Sequence, residues 1–131
     1  VISPALLAGK LVLCDRFVDS SLAYQGWARN LGIEELTQIN GWFLKDYWPD
    51  LTLVLDIDPE ISLNRLKGSK DRLEREDLQF HKKVREGFLK IHQNNSKRVK
   101  IIDANQDVER VFKSILLEIQ KSGIINIDKG I

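Results

Sequence analysis

The chain reads as a doubly wound α/β domain, a parallel sheet with helices on both faces, and three observations carry that expectation. Short runs of near-continuous apolar character, Leu11-Val12-Leu13-Cys14 and Leu51-Thr52-Leu53-Val54-Leu55, with Val99-Lys100-Ile101-Ile102 as a third, read as strands covered on both sides. Segments of helical period separate them. Each run also ends on polar residues: Asp15 and Arg16, Asp56, and Asp103. In open α/β sheets ligands gather outside those carboxyl ends.

Taken in order, Val1 to Leu7 has the character of a helix interior. After the first run, Leu36, Ile39, Phe43 and Tyr47 mark one apolar stripe. Asp58-Pro59-Glu60 is a helix start, combining an oxygen-bearing cap, a proline at the first helical position and a carboxylate in the first turn. Phe80, Val84, Phe88 and Ile91 mark a second stripe; Val108, Val111, Phe112, Ile115 and Ile119 mark a third, which Ser122-Gly123 stops. Residues 124–131 take no assignment. Three strands make a thin parallel sheet, so further strands are expected outside these residues, and residues 1–131 are expected to form a single, partial domain.

Composition bounds the function. With 131 residues, 43% of them apolar, the chain has the size of one domain that can bury about two-thirds of its unfolded surface. No apolar run approaches the ~20 residues needed to cross a bilayer, and no basic-then-apolar leader opens the chain. One cysteine, Cys14, excludes an internal disulfide framework and fits a reducing, cytoplasmic compartment. The formal charge of +1 hides an asymmetry: Asn64 to Lys100 holds 12 basic and 5 acidic residues, the remainder 8 basic and 14 acidic. That contrast suggests an anionic ligand held at one place. Nucleic acid is not the expected partner, because acidic residues interrupt the basic segment and no aromatic interleaving accompanies it.

Among the strand-end residues, Asp56 and Asp103 read as caps of the turns that follow. Asp15-Arg16 differs, since a buried guanidinium fork beside a carboxylate makes a poor cap and suits bidentate capture of a phosphate. Around it, Asp15-Arg16-Phe17-Val18-Asp19-Ser20-Ser21-Leu22-Ala23-Tyr24-Gln25-Gly26 resembles the DR(Y/F/H)xxSxxAYQG signature of thymidylate kinases. Pro49 to Asp56 resembles the family's PDLTLxLD strand. Asp71-Arg72-Leu73-Glu74 with Phe80, Val84, Arg85, Gly87 and Phe88 resembles its lid and following helix, and Ile102-Asp103-Ala104 with Gln106 and Glu109 its closing IDAxQxxE block. The resemblance runs from about Ser3 to Gln120 in the family's order.

The resemblance implies a P-loop kinase-like fold and phosphoryl transfer from ATP to dTMP, giving ADP and dTDP. By the same resemblance Arg16 grips the dTMP phosphate, and Asp15 sits beside the transferring group and helps organise a Mg²⁺ shell. Ser20, Ser21 and Gln25 bond thymine and its sugar, and Tyr24 lies near the sugar's 2′ position and disfavours ribose. Arg65 and Arg72, in a basic lid over residues 65–75 with Lys67, Lys70 and Arg75, face the ATP phosphates. Ala104, Asn105 and Gln106 border the adenine. A homodimer formed through helices is also implied. One departure stands out: the lid's common Arg-Gly pair is Lys67-Gly68 here.

No GxxxxGK[ST] phosphate loop occurs in the sequence. Val1 to Lys10 resembles a family stretch that follows that loop, so the chain is expected to begin mid-domain and, alone, to turn over dTMP negligibly. The alternatives are another P-loop kinase of nucleosides or nucleotides, whose acceptor site would differ around Ser20 to Gln25, and an inactive truncated chain acting as a binding module. His81 and His92 read as surface residues, Cys14 as a buried thiol, and Trp27, Trp42 and Trp48 as packing residues. No metal-ligand spacing typical of zinc occurs.

Overall fold

The structure is a computed structural model and describes residues 1–65 and 72–125, with residues 72–76 described by backbone alone. Helix α1 spans Ile2–Leu7 and α2 spans Val18–Ser21. A π-helical segment, Leu22–Ala28, continues from α2, and α3 spans Ile33–Leu44. Strand β1 (Thr52–Asp56) leads to α4 (Pro59–Arg65) and α5 (Arg72–Asn94). Strand β2 (Val99–Asp103) and α6 (Val108–Ser122) follow.

β1 and β2 pair in parallel, Thr52 opposite Val99 and Asp56 opposite Asp103, so both strands present their carboxyl ends together. The expected first strand, Leu11–Cys14, does not form. Among the described residues the sheet is β1 and β2 alone, and Leu11–Cys14 has no ladder beside it. A strand without hydrogen-bonded neighbours or a covered face has nothing to hold it extended. Leu13 accordingly stands 93% exposed, and Cys14 is an exposed free thiol, not a buried one.

The core lies where the π-helical segment packs along α5 over the sheet. Val18, Leu22, Ala23, Val54, Val84, Ile91 and Val99 form it. The α5 stripe behaves as its spacing dictates, with Val84 and Ile91 buried and Phe80 and Phe88 packed against the core. Gly87 makes the approach possible: a Cβ there would lie 2.9 Å from Trp27 Cβ and 3.1 Å from the Ala23 carbonyl oxygen. The other two stripes are only partly covered. Leu36 reaches the core, whereas Ile39 and Phe43 of α3 and Val108 and Phe112 of α6 remain exposed. Among the described residues α3 packs chiefly on the π-helical segment and α6 chiefly on β2. Trp48 packs as expected; Trp42, at 83% exposure, does not, and Trp27 is only partly covered.

Both local stop and start signals are realised. The Glu60 backbone N–H donates to the Asp58 carboxylate at 2.8 Å, opening α4, and Gly123 closes α6 in the left-handed conformation at φ 72°. Asp107 caps α6 by accepting from the Arg110 backbone N–H at 2.9 Å.

Candidate active site

The acceptor-side residues come together on one helical face. Ser20 and Tyr24, and Ser21 and Gln25, are four apart across α2 and the π-helical segment, which brings the pairs onto neighbouring turns. The wider winding is visible in the Arg29 N–H, which donates to the Tyr24 carbonyl five residues back at 3.1 Å. Ser20, Ser21 and Tyr24 are half-buried and Gln25 is exposed. Among the described residues the two serine hydroxyls and the Gln25 amide have no protein hydrogen-bond partner. Half-buried hydroxyls left open on one face are acceptors and donors available to a ligand.

Arg16 is exposed, not buried as the sequence suggested, because the segment before it forms no strand and residues 13–15 stand in solvent. Its φ of 61° lies in the left-handed region, which costs a non-glycine residue about 1–2 kcal/mol. No carboxylate pairs with it among the described residues; its guanidinium carbon lies 4.4 Å from the centroid of the Tyr24 ring. Asp15, its neighbour, is an exposed carboxylate with no ion-pair partner among the described residues. Tyr24 meets Phe80 and Phe88 of α5 edge-on, at centroid distances of 5.9 and 6.4 Å. Arg29, which sequence reasoning did not single out, covers the Phe80 ring at 5.5 Å.

A second group gathers at the carboxyl ends of β1 and β2. Ala104 N–H donates to the Asp56 carbonyl at 2.8 Å. Asp103 accepts from the Asn105 backbone N–H and from its side-chain amide, each at 2.9 Å, and the Gln106 amide reaches the Asp103 carbonyl at 3.0 Å. Asp103 is thus the turn cap its position suggested. Arg65, exposed at the end of α4, extends Nη2 to 3.5 Å from the Asn105 carbonyl, so the expected lid arginine and the expected adenine border share one corner. Arg72 opens α5, but its side chain and that of Arg75 lie outside the described residues, as do Lys67, Gly68, Lys70 and Asp71.

Asp56 is not a cap. Arg85 of α5 donates to both its carboxylate oxygens, Nε at 2.7 Å and Nη2 at 2.8 Å. That bonding raises Arg85 above its usual range against the opposing effect of burial, and Asp58 adds a second, more distant charge at 3.9 Å. Lys82 donates to Glu60 at 2.6 Å and is likewise raised. Together these pairs tie β1 and α4 to α5.

The opposite end of the sheet carries a group the sequence did not announce. Asp19, 3% exposed, accepts from Arg98 Nη1 at 2.7 Å, Arg98 Nη2 at 2.8 Å and the Thr52 hydroxyl at 2.6 Å. Arg98 also donates to Thr52 at 3.1 Å and lies 5.7 Å from the Trp48 ring centroid. The one signal was a carboxylate between buried Val18 and Leu22 in a stretch otherwise apolar on that face. His92 corrects the surface reading in the same way, its Nδ1 lying 2.7 Å from the Val99 carbonyl, while His81 is exposed.

Two polar clusters stand out among the described residues, one on a helical face beside the exposed Arg16 and one at the carboxyl end of a parallel sheet, the end at which open α/β sheets gather ligands. The family model described as Thymidylate kinase matches residues 1–115. A thymidylate kinase of Geobacillus sp. (strain WCH70) is 55% identical over 115 residues, covering 85% of this chain and 55% of that protein. One of Clostridium novyi (strain NT) is 51% identical over 116 residues, covering 86% and 57%, and one of Shouchella clausii (strain KSM-K16) 48% over 124, covering 92% and 58%. The chain belongs to the thymidylate kinase family. It spans a little over half the length of these curated relatives.

Proposed function

We propose that these residues supply the acceptor site, lid and carboxyl-terminal portion of a dTMP kinase, in which a dTMP phosphate oxygen attacks the γ-phosphorus of ATP and the bond to ADP breaks. The observation that carries this reading is the open face of Arg16, Ser20, Ser21, Tyr24 and Gln25, whose side-chain polar groups have no hydrogen-bond or ion-pair partner among the described residues. Arg16 holds the acceptor phosphate with its free fork of donors. The serines and Gln25 orient base and sugar, and a ligand lacking the matching groups would leave half-buried polar atoms unpaired. Arg65, with Arg72, neutralises charge on the transferred group, and residues 104–106 border the adenine.

The fold proposed for residues 1–131 is a partial P-loop kinase domain, with the lid over about 65–75 and further strands completing the sheet from outside these residues. Because no GxxxxGK[ST] occurs in the sequence, turnover depends on a donor-holding element supplied from elsewhere. Among the described residues no group of three or more His, Cys, Asp or Glu gathers for a metal ion. A single unpaired carboxylate, Asp15, fits a Mg²⁺ held mainly by nucleotide phosphates, with water between. That ion would supply charge neutralisation on the phosphates.

A homodimer through the helices is proposed, and the exposed Ile39, Trp42 and Phe43 of α3 offer it apolar surface. The reading carries a cytoplasmic setting and no nucleic-acid or membrane partner; no described helix is long and apolar enough to cross a membrane.

Calorimetric titration of the protein with dTMP, dUMP, thymidine and AMP tests the proposal. Preference for dTMP, lost in Arg16→Ala, supports it; preference for another nucleotide transfers the reading to a different P-loop kinase.

A further inference from the structure

Arg16 lacks what usually fixes an exposed guanidinium. It has no carboxylate partner among the described residues, and its backbone occupies the left-handed region. What it has is an aromatic ring: the guanidinium carbon sits 4.4 Å from the Tyr24 centroid. A cation–π contact acts through the ring face and consumes no N–H, so all five donors stay free. An ion pair would have oriented the group at the cost of the donors a phosphate needs.

The ring is itself held. Phe80 meets Tyr24 at 64° and Phe88 at 82°, both from α5, and Arg29 lies over the Phe80 ring at 5.5 Å. Offset and edge-on contacts of this kind resist rotation of the central ring. The result is a row of Arg29, Phe80, Tyr24 and Arg16 that runs from the exit of the π-helical segment, across α5 and back to the start of α2. It joins the orientation of Arg16 to the packing of α5.

We propose that Tyr24 is a positioning residue for Arg16: its ring, braced by Phe80 and Phe88, holds the guanidinium in place with its donors open for a nucleotide phosphate. The phosphate part rests on the function proposed above; the anchoring part does not.

The experiment separates the two. The Arg16 Nε–Hε resonance is recorded without ligand in the unsubstituted protein and in Tyr24→Phe, Tyr24→Leu and Phe80→Leu, and each is titrated with dTMP and with thymidine. A ring-current displacement is expected in the unsubstituted protein and in Tyr24→Phe, reduced in Phe80→Leu and absent in Tyr24→Leu. The preference for dTMP over thymidine is expected to survive in Tyr24→Phe and to fall about two- to fivefold in Tyr24→Leu, the weight of an exposed cation–π contact. If Tyr24→Leu leaves the Arg16 resonance where it was, or Tyr24→Phe loses the displacement, the proposal is overturned. If the displacement behaves as expected but Tyr24→Leu keeps the full preference for dTMP, the phosphate-positioning part is overturned. If the unsubstituted protein shows the displacement and binds neither ligand, the dTMP reading falls and the anchoring of Arg16 by Tyr24 stands. Phe80→Leu leaves Tyr24 and Arg16 in place, so it decides the anchoring if Tyr24→Leu does not fold.

Discussion

Two aspartates stand four residues apart at the start of α2, Asp15 beside Arg16 in sequence and Asp19 against Arg98 in space, and they do opposite things. Asp19 is buried and saturated, taking both ends of the Arg98 fork and the Thr52 hydroxyl, and so fastens α2 to the beginnings of β1 and β2. Asp15 and Arg16, adjacent in sequence, are exposed and, among the described residues, unpaired with each other or with any other charged group. Residue type does not separate the pairs; the supply of partners does. A charge whose hydrogen bonds are all met by protein has none left for a ligand, and a charge held only by a ring keeps them all.

The largest effect expected from breaking this contrast lies in the saturated pair. Asp19→Ala leaves Arg98 charged and mostly buried without its acceptor, which should cost about 3–5 kcal/mol in chemical denaturation. Asp19→Leu combined with Arg98→Met removes both charges and should recover much of that loss. A double variant as unstable as the single one would refute the ion-pair account.

At the open pair the same kind of truncation should leave the fold intact and act on binding. Arg16→Gly removes a fork worth about 1.5–3 kcal/mol in charged hydrogen bonds to the acceptor phosphate, read as weaker dTMP binding. It also relieves the left-handed strain at φ 61°, so the thermal midpoint should hold or rise. Lower stability in Arg16→Gly would place Arg16 in the framework, beside Arg98, and erase the distinction.

Gly87 tests how far the two regions share one support. A methyl there meets Trp27 Cβ and the Ala23 backbone, and backbone cannot move aside as a side-chain end can. Gly87→Ala should therefore cost about 1–3 kcal/mol. Because Ala23 precedes Tyr24, the Arg16 resonance should shift, while the Asp19 to Arg98 bonds at the far end of the sheet should not.

How much of this was legible in the sequence follows from whether the cause was local. The α5 stripe, the Asp58-Pro59-Glu60 start and the Gly123 stop were readable because period, cap and left-handed turn are properties of a few neighbouring residues. The family was readable because its signatures are contiguous. Leu11–Cys14 failed because a strand is defined by the chain beside it, and among the described residues none is there. Asp56 was misread for the same reason: Arg85 lies 29 residues on, and only the packing of α5 brings it to the strand end. The π-helical winding around Tyr24 leaves no trace in apolar spacing, since its distinguishing bonds are backbone ones.

The smallest effect belongs to the seam that joins α4 and β1 to α5, where an exposed pair stands beside a half-buried one. Hydrogen bonding to Glu60 raises Lys82 above its usual 10.5, with the charges of Glu60 and Asp58 acting in the same direction. A base raised in the folded state stabilises it below the unfolded value, so the contribution is complete at neutral pH. It is lost as pH climbs through the raised value. The side chains are 39% and 58% exposed, and water screens such pairs strongly. Lys82→Met should thus lie only slightly below the unsubstituted protein in stability at neutral pH, and the two curves should converge above 10.5. Arg85→Met should not converge over that range, because a guanidinium keeps its charge there and Asp56 would be left without its fork. Parallel curves for Lys82→Met across the alkaline range would mean that the lysine acts through its aliphatic stem, and that the charged part of the seam is Arg85 with Asp56.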